Sequence, residues 1–463
     1  MIVDRRDLLL RGGIAAAAGA LISVDRATAQ THDMGAMDHG SMDHSSMDHS
    51  AKPTSPASAK PSEASRDPRF TPVRTLNGWT LPWKMINGAK EFHLVAEEIV
   101  HEFGPGSKAT CWGYNGSTPG PTIEAVEGDR VRIYVTNRLK EHTSVHWHGL
   151  ILPSGMDGVA GLNQPAIGPG ETFVYEFTLR QHGSHMYHPH ADEMTQMAFG
   201  MMGLFIIHPQ RAEPVPIDRD YAFILHNWAL HPGTWRPDPS IMVDFNLWTF
   251  NSKVFPAIDP IVARTGERVR IRIGNLSMWN HPIHLHGHEF VVTGSDGGRR
   301  SRAQWTSEVT EVVNVGQMRD IEFTATPGDW SFHCHMAHHT MNAMGHGVPN
   351  TNGVDQTGVE AKVKSMLPGF MAMGRNGMAE HQDHTDGGMV GPPNTMAMMV
   401  GNGQFGNIEM GGMFTIVKVR DDLARGDFRD PGWYRFPAGT VSRRVSSDPN
   451  FGAPFRRSGS KAG

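Results

Sequence analysis

Two segments of the chain share one pattern of alternating apolar and polar residues. Gly128 to Asn137 reads GDRVRIYVTN, and Gly266 to Asn275 reads GERVRIRIGN. Successive side chains of a β-strand point to opposite faces, so this alternation predicts a strand that enters a turn in each segment. The segments lie 138 residues apart, which indicates an internal repeat of one fold.

Many other short alternating runs are bounded by Gly, Pro and Asn, without a long amphipathic helical segment among them. This pattern predicts an all-β sandwich or barrel in each half. We place the first domain at residues 70–212 and the second at residues 213–420, with a Met-rich and Gly-rich insertion at about 345–405. The run IEMGGMFTIVKVR resembles MAFGMMGLFIIHP of the first half and is expected to be the closing strand of the second domain. Residues 421–463 are a C-terminal extension.

The N-terminal residues 1–29 combine Arg5 and Arg6 with a short apolar run and the small residues Ala27-Thr28-Ala29. This arrangement predicts a twin-arginine export signal, and therefore a periplasmic or secreted protein without a membrane span after cleavage. An uncleaved anchor is the alternative. Residues 30–69 repeat Met-Asp-His and then become rich in Pro and Ser, as is typical of a disordered tail. The tail either captures copper or only solvates the protein.

The composition favours metal binding over other classes of function. The chain has 27 His and 28 Met but only 2 Cys, which argues against a disulfide scaffold. A net charge of -5 shows no basic signature for nucleic acid. We expect Cys111 to be a buried thiol without a disulfide partner.

Four His-x-His pairs stand at corresponding places of the two repeats. A strand points both imidazoles of such a pair to one face and the middle residue to the other. One pair alone is more often solvated or core histidine, but four pairs in register indicate a shared cluster of copper ions open to an exogenous ligand such as dioxygen. The pairs are His146 and His148, His188 and His190, His284 and His286, and His333 and His335.

Alternation also places Cys334 on the face opposite to His333 and His335. There His281, His339 and Met344 can complete a second site. Two imidazoles, a thiolate and a weak axial thioether describe a blue-copper electron-transfer centre. In the first half the corresponding places carry Thr143, Pro189, Met194 and Phe199, so that half is predicted to lack such a centre, with Met194 as a core residue.

At these residues the chain resembles the multicopper oxidases. The segments HWHG, HPH, HPIHLHGH and HCHMAHHTMNAM look like the four copper signatures of that family, in order and with matching spacing. The resemblance implies two cupredoxin-like Greek-key β-sandwich domains. Only 90 residues separate His190 from His281, which leaves no room for a third domain between them. The chain therefore looks like the two-domain, or small, laccase type with its type 1 copper in the second domain.

The resemblance also implies four copper ions in each functional unit and assigns the ligands. Type 1 copper takes His281, Cys334, His339 and an axial Met344. Type 2 copper takes His146 and His284. The type 3 pair takes His148, His188, His190, His286, His333 and His335. A homotrimer with copper clusters at the subunit interfaces is implied as well.

The implied activity couples one-electron oxidation of a substrate at type 1 copper to four-electron reduction of dioxygen to water. Electrons are expected to enter through an exposed edge of a histidine ligand. The substrate is either a phenol or aromatic amine, as for a laccase, or Cu(I), as in copper detoxification. A copper-sequestering resistance protein without turnover and a copper nitrite reductase are the alternatives.

Asp157 follows the first signature and is our candidate proton donor, although an Asp before Gly158 is also an ordinary turn residue. Many relatives carry a carboxylate where this chain has Ala337. Asp192 or Glu193 is the candidate substitute for that second proton route.

Overall fold

The computed structural model describes residues 70–230, 236–243, 245–340, 365–366, 401–408 and 410–443. The expected export signal at 1–29, the tail at 30–69, Met344 and most of the insertion at about 345–405 lie outside these residues, and so do the last residues of the C-terminal extension. Those expectations stay predictions. Within the described ranges, no helix is both long enough and apolar enough to cross a bilayer.

The first half is built from short strands, one helix and one 3-10 turn. In the segment GDRVRIYVTN the residues Val131, Ile133 and Val135 are fully buried, as its alternation predicts. The helix is α1 (Glu193–Ala198) and the 3-10 turn is Ser154–Met156. The strands are β1 (Val73–Thr75), β2 (Lys84–Ile86), β3 (Ala89–Gly104), β4 (Ser107–Tyr114), β5 (Ile123–Val126), β6 (Arg130–Asn137), β7 (His146–His148), β8 (Thr172–Thr178), β9 (Gly183–His188) and β10 (Gly203–His208).

The second half repeats this plan with additional short strands. In the part of this half that the structure describes, two 3-10 turns, Arg302–Gln304 and Ala337–Thr340, accompany them. The strands are β11 (Arg219–Trp228), β12 (Leu247–Phe250), β13 (Ile261–Arg264), β14 (Arg268–Asn275), β15 (His281–Leu285), β16 (Phe290–Ser295), β17 (Gly298–Arg299), β18 (Thr306–Glu308), β19 (Thr310–Val313), β20 (Met318–Thr324), β21 (Gly328–Cys334), β22 (Asn402–Gly403), β23 (Gly406–Asn407) and β24 (Phe414–Arg420).

The two halves share the central part of their sheet topology. In the first half one sheet contains β3, β6 and β8, and the facing sheet runs β5-β10-β9-β7. In the second half β11, β14 and β20 correspond to the first set, and β13-β24-β21-β15 correspond to the second. β10 and β24 each pair antiparallel with the strand that carries a His-x-His signature, β9 and β21. The all-β fold class, with a sandwich in each half, is confirmed.

One strand departs from the division of the chain at residue 212. β1 lies at the start of the first half but pairs parallel with β11, with Val73 opposite Asp220. It is therefore an edge strand of the second half's sheet. The division at residues 212 and 213 stays a prediction.

The hydrophobic core has three main parts. One cluster lies inside each half, and a third is shared by both. The shared cluster includes Cys111 and Met186 from the first half together with Trp228 and Met318 from the second. Burial raises the pKa of the Cys111 thiol, in agreement with the buried, unpaired thiol that we expect.

A buried layer of charged residues also joins the halves. Arg272 of β14 donates to both carboxylate oxygens of Asp220, at 2.8 and 2.7 Å. The same guanidinium donates to the Ser184 hydroxyl of β9 at 2.8 Å, and Ser184 donates to Asp320 at 2.6 Å. The outer face of β14 is therefore buried under the first half. In the first half the corresponding strand β6 leaves the Arg130 side chain 52% exposed.

Candidate metal centres

The first histidine group, defined as His146, His148, His188 and His190, is formed at the end of two paired strands. β7 and β9 run antiparallel, with His146 opposite His188. Trp147 points the other way and is fully buried in the core of the first half. The alternation of the strand thus separates the imidazoles from the apolar side chain between them.

The rings of this group lie close together. The ring of His146 lies 5.8, 5.4 and 5.6 Å, centre to centre, from the rings of His148, His188 and His190. The Nδ1 of His148 lies 3.3 Å from the Nε2 of His188. Burial lowers the pKa of His188 to about 3, so its imidazole is neutral at physiological pH. A neutral ring keeps the lone pair that a metal needs.

The second histidine group, defined as His284, His286, His333 and His335, has the same plan. β15 and β21 run antiparallel, with His284 opposite His333. The ring of His284 lies 4.8, 5.6 and 5.4 Å from the rings of the other three members, and the Nε2 atoms of His286 and His333 lie 3.1 Å apart. Burial lowers the pKa of His333 to about 4.

Backbone carbonyls orient several of these rings. The Nδ1–H of His146 donates to Asp157 O at 2.8 Å, that of His188 to Pro189 O at 2.9 Å, and that of His333 to Cys334 O at 2.8 Å. His284 donates in the same way to Val309 O at 2.6 Å. Each of these rings therefore carries its lone pair on Nε2, the atom left for a metal ion.

The two groups are separate within the described part of the chain. Across the described residues, neither a ring contact nor a hydrogen bond joins a member of the first group to a member of the second. Each group also has an open side, since His286 and His335 are exposed and His190 is partly exposed.

Cys334 forms a separate site on the opposite face of β21. Its Sγ lies 3.7 Å from the Nδ1 of His281 and 3.3 Å from the Nδ1 of His339, and the two Nδ1 atoms lie 3.0 Å apart. All three side chains are at most 1% exposed. Burial raises the pKa of the Cys334 thiol to about 12 and lowers the pKa of His281 to about 3.

These donor atoms fit copper. One sulfur and two imidazole nitrogens converge within 4.8 Å of one another, and this soft and borderline set suits a copper ion in a trigonal arrangement. A bound cation would also stabilise the thiolate, which the buried site otherwise disfavours. Met344, the predicted axial ligand, lies outside the described residues.

Aromatic rings enclose the Cys334 site. Trp248 stacks on His339 at 4.8 Å and 21°, and His338 packs on the same ring at 4.2 Å. Both His281 and His339 are 0% exposed. The expectation that electrons enter through an exposed edge of a histidine ligand is therefore wrong for this chain. The partly exposed rings nearest to His339 are His338 and Trp279, at 4.2 and 6.0 Å.

Two of the three candidate carboxylates lie beside the first histidine group. Asp157 has a side-chain oxygen 3.5 Å from the Nδ1 of His146. Glu193 lies 3.6 Å from the Nδ1 of His188 and 3.8 Å from the Nε2 of His190. Asp192 instead accepts a hydrogen bond from Thr195 at 2.9 Å, next to the start of α1. Of the two candidates for a second proton route, the geometry favours Glu193.

In the first half, a buried hydrogen-bonded pair, Thr143 and Gln196, occupies the place that corresponds to the Cys334 site. Thr143, which stands where His281 stands in the second half, donates to the Oε1 of Gln196 at 2.7 Å. Gln196 is fully buried and donates to His142 O at 2.9 Å. Met194 is 52% exposed, so the expectation that it packs in the core is wrong. Sequence reasoning missed Gln196 because an amide carries no metal signal.

Comparison with known proteins gives the family. Two family models, each described as multicopper oxidase, match residues 96–212 and 234–354. Together these matches cover just over half of the chain and include all the residues that form the three sites. The chain belongs to the multicopper oxidase family. The two-domain form expected from the sequence agrees with the two repeated sandwiches.

Curated relatives of this multicopper oxidase include a copper resistance protein A homolog of Pseudomonas syringae pv. tomato, 43% identical over 124 residues. That match covers 27% of this chain and 21% of the relative. The L-ascorbate oxidase of Nicotiana tabacum is 28% identical over 251 residues, which are 46% of this chain and 43% of the relative. The chain thus spans less than half the length of these relatives.

Solved structures agree on the cupredoxin-like fold. The blue copper oxidase of Nitrosomonas europaea superposes with a TM-score of 0.53 at 25% identity, over 71% of this chain and 85% of its own. The multicopper oxidase mgLAC superposes with a TM-score of 0.53 at 23% identity, over 74% of this chain and 90% of its own.

Proposed function

We propose that the protein is an oxidase that takes single electrons from a reducing substrate at the Cys334 site and uses four of them to reduce dioxygen to water at the histidine groups. One observation carries this proposal. His333, Cys334 and His335 are consecutive residues of β21 and its end, so the thiol of one site is one residue away from two imidazoles of the other. A sequestering protein has no use for such a covalent link.

We assign the ligands as the family resemblance implies, with four copper ions in each functional unit. His281, Cys334, His339 and Met344 hold type 1 copper, and the eight paired histidines hold one type 2 and two type 3 ions. When bound, copper supplies one-electron chemistry at the first site and the binding and reduction of dioxygen at the second. The burial of His281 and His339 keeps water away from the Cys334 sulfur.

Carboxylates of the chain have a place in the proton supply that water formation requires. We assign Asp157 as the proton donor, because its side chain lies 3.5 Å from His146 at the edge of the first histidine group. Glu193 lies beside His188 and His190 and is our second candidate. Both side chains are partly exposed, at 32% and 45%, so they can exchange protons with solvent.

We propose that the functional unit is a homotrimer in which the first histidine group of one copy faces the second group of a neighbour. Exposed apolar side chains flank both groups and support burial of these faces. Ile151 and Met194 are 60% and 52% exposed beside the first group. Val309 and Val312 are 51% and 44% exposed beside the second.

Two substrate classes remain candidates, and each has a supporting observation. The relatives named copper resistance proteins favour Cu(I) as the substrate. We place the protein in the periplasm or outside the cell, as its predicted export signal implies. The rings of Trp279 and His338 next to His339 favour an aromatic reductant such as a phenol. Nitrite reduction is not favoured, because both matching family models are those of multicopper oxidases.

The function is tested with copper-loaded protein, a methoxyphenol and a cuprous salt in an oxygen electrode. We expect oxygen uptake with at least one reductant and an intense charge-transfer band in the orange-red. Cys334→Ser should abolish both, whereas Cys111→Ser, which removes the other buried thiol, should leave the band in place. Colourless loaded protein, or undiminished oxygen uptake by Cys334→Ser, would contradict the proposal.

The substrate classes are separated by deleting residues 350–402 and repeating both assays. If Cu(I) is the substrate and the Met-rich segment delivers it, the deletion lowers cuprous turnover and spares phenol turnover. Unchanged cuprous turnover in the deletion variant rules out that role of the segment.

A further inference from the structure

The turn that leads into His281 has a counterpart in the first half. Asn275 and Asn137 end the two repeated strands, and both are fully buried. Asn275 donates through Nδ2 to Trp279 O at 2.7 Å and to Val313 O at 2.9 Å. Asn137 donates in the same way to Glu141 O at 2.8 Å and to Ile167 O at 2.9 Å. In both repeats, therefore, a buried asparagine side chain bridges two backbone carbonyls at this turn.

The residue two positions later differs between the turns. The N–H groups of Leu139 and Ser277 both donate to the side-chain oxygen of their asparagine, at 2.9 Å in each half. Both side chains are 2% exposed, but Ser277 carries a hydroxyl where Leu139 is apolar. Four positions after this residue stands Thr143 in the first half and His281 in the second. The Ser277 hydroxyl thus occurs in the second half, which has His281, and has no counterpart in the first half.

The Ser277 hydroxyl lies 2.7 Å from the Nε2 of His281. It also lies 2.7 Å from the Oδ1 of Asn275 and 2.9 Å from Trp279 O. Both oxygens are acceptors only. Trp279 O is a backbone carbonyl, and the side-chain amide of Asn275 directs its Nδ2 at two carbonyls, so that its Oδ1 faces Ser277. The backbone N–H of Trp279 also donates to the Ser277 oxygen, at 3.2 Å. When the single hydroxyl proton goes to one of the two oxygens, the ring of His281 donates to Ser277 through its Nε2–H.

We propose that Ser277 is a positioning residue for the Cys334 site, which fixes His281 as the Nε2–H tautomer and so directs the Nδ1 lone pair at the copper ligand set. Four cluster histidines have the opposite arrangement, since backbone carbonyls hold their Nδ1–H and leave Nε2 free. One hydroxyl thus selects which nitrogen of His281 is the ligand. The inference rests on the proposed function only in naming copper as the metal.

Partners that hold the second nitrogen of a ligating histidine set both its orientation and its donor strength. Loss of such a partner typically weakens metal binding about 10-fold to 100-fold. In Ser277→Ala the Nε2–H of His281 would stay buried without an acceptor, so the ring either turns or changes tautomer. Ser277→Thr keeps the hydroxyl and should keep the function.

The first experiment uses copper-free protein without substitution, labelled with ¹⁵N-histidine. The ring nitrogen shifts of His281, assigned by comparison with His281→Gln, should show protonation at Nε2. Protonation at Nδ1 would overturn the proposal whether or not the protein is an oxidase. This measurement therefore separates failure of the inference from failure of the proposed function.

The second experiment compares the parent protein with Ser277→Ala, Ser277→Thr and the control Thr122→Val, which removes a buried hydroxyl in the first half. Cuprous affinity is measured by chelator competition, and the position of the charge-transfer band and the reduction potential of the Cys334 site are recorded. We expect about 10-fold or greater loss of affinity with a shifted band and potential in Ser277→Ala alone. Unchanged affinity, band and potential in Ser277→Ala would overturn the inference.

Discussion

At the scale of single residues, burial decides which histidines stay neutral. Several buried histidines lie outside the predicted ligand sets. Burial lowers the pKa of His101 to about 3 and the pKa of both His185 and His226 to about 4. His226 donates through Nδ1 to Leu276 O at 2.7 Å, just before the turn that carries Ser277. Protonation of these rings is therefore unfavourable in the folded state.

The copper-free protein is accordingly expected to lose stability in acid. An unfolded chain protonates these three histidines near the ordinary pKa of 6.5, while the folded chain keeps them neutral down to about 4. The unfolded state therefore binds more protons between these values, and the free energy of unfolding falls as the pH falls, by about 1.4 kcal/mol per pH unit for each such histidine. Urea unfolding across this range measures the slope.

Two variants provide the comparison for this slope. His226→Gln should reduce it, whereas substitution of the exposed His93 by Gln should leave it unchanged. A free energy of unfolding that stays constant from pH 6.5 to about pH 4 would contradict the expectation.

At the scale of elements, the repeated strands β6 and β14 have different neighbours. β6 ends in Thr136-Asn137, and β14 ends in Gly274-Asn275. A Cβ at Gly274 would lie 2.6 Å from the Sδ of Met318 and 2.8 Å from the Sδ of Met186. Met186 belongs to β9 of the first half, so Gly274 allows the two halves to pack closely. The second repeat thus has no side chain at the position where the first half packs against it.

Gly274→Thr, which restores the residue of the first repeat, should overpack this contact and destabilise the protein by about 1–3 kcal/mol. Chemical denaturation measures the loss. Thr136→Val, on a partly exposed position of the equivalent strand, should stay within about 0.5 kcal/mol of the parent. Combining Gly274→Thr with Met318→Ala should give non-additive effects, because the shorter side chain leaves room. Additive losses would show that the contact is not the cause.

At the scale of the whole molecule, the proposed eight-histidine site joins two groups that are separate within the described chain. Each sandwich presents four imidazoles with an open side, and the described chain does not bring the two groups into contact. If neighbouring copies share a site, two variants that each lack a different histidine group can together form an intact site. This possibility distinguishes a site between copies from a site within one chain.

Complementation tests this arrangement. One variant carries His146→Ala and His148→Ala, and the other carries His284→Ala and His286→Ala. Each alone should lack oxygen uptake, while co-expression should restore roughly a quarter of the parent activity, because a random assembly joins two intact groups at that frequency. Co-expression of two copies of the same variant is the control. Absence of recovery in mixed assemblies of confirmed composition would contradict shared sites.

The sequence predicts the sites better than their surroundings. The opposite faces of Cys334 and its neighbouring histidines follow from strand alternation, which is a local property, and the repeat doubles the signal. Membership of the multicopper oxidases is confirmed, whereas the ligand roles stay predictions. Ser277, Trp248 and Gln196 carry no metal signal. The contacts of Trp248 and Gln196 join segments far apart in the chain, whereas Ser277 acts within its own turn. The burial of His281 and His339 depends on the same long-range packing.

The short strand β1 has a consequence for dissecting this protein. Its three residues hydrogen-bond along β11, although 143 residues separate Thr75 from Arg219. A fragment that begins after residue 212 would leave Asp220–Ala222 of β11 unpaired on the edge that β12 covers only at Leu225–Trp228, and unpaired strand edges promote self-association. Independent production of the second sandwich therefore calls for grafting Val73–Thr75 back onto it, for example through a circular permutation.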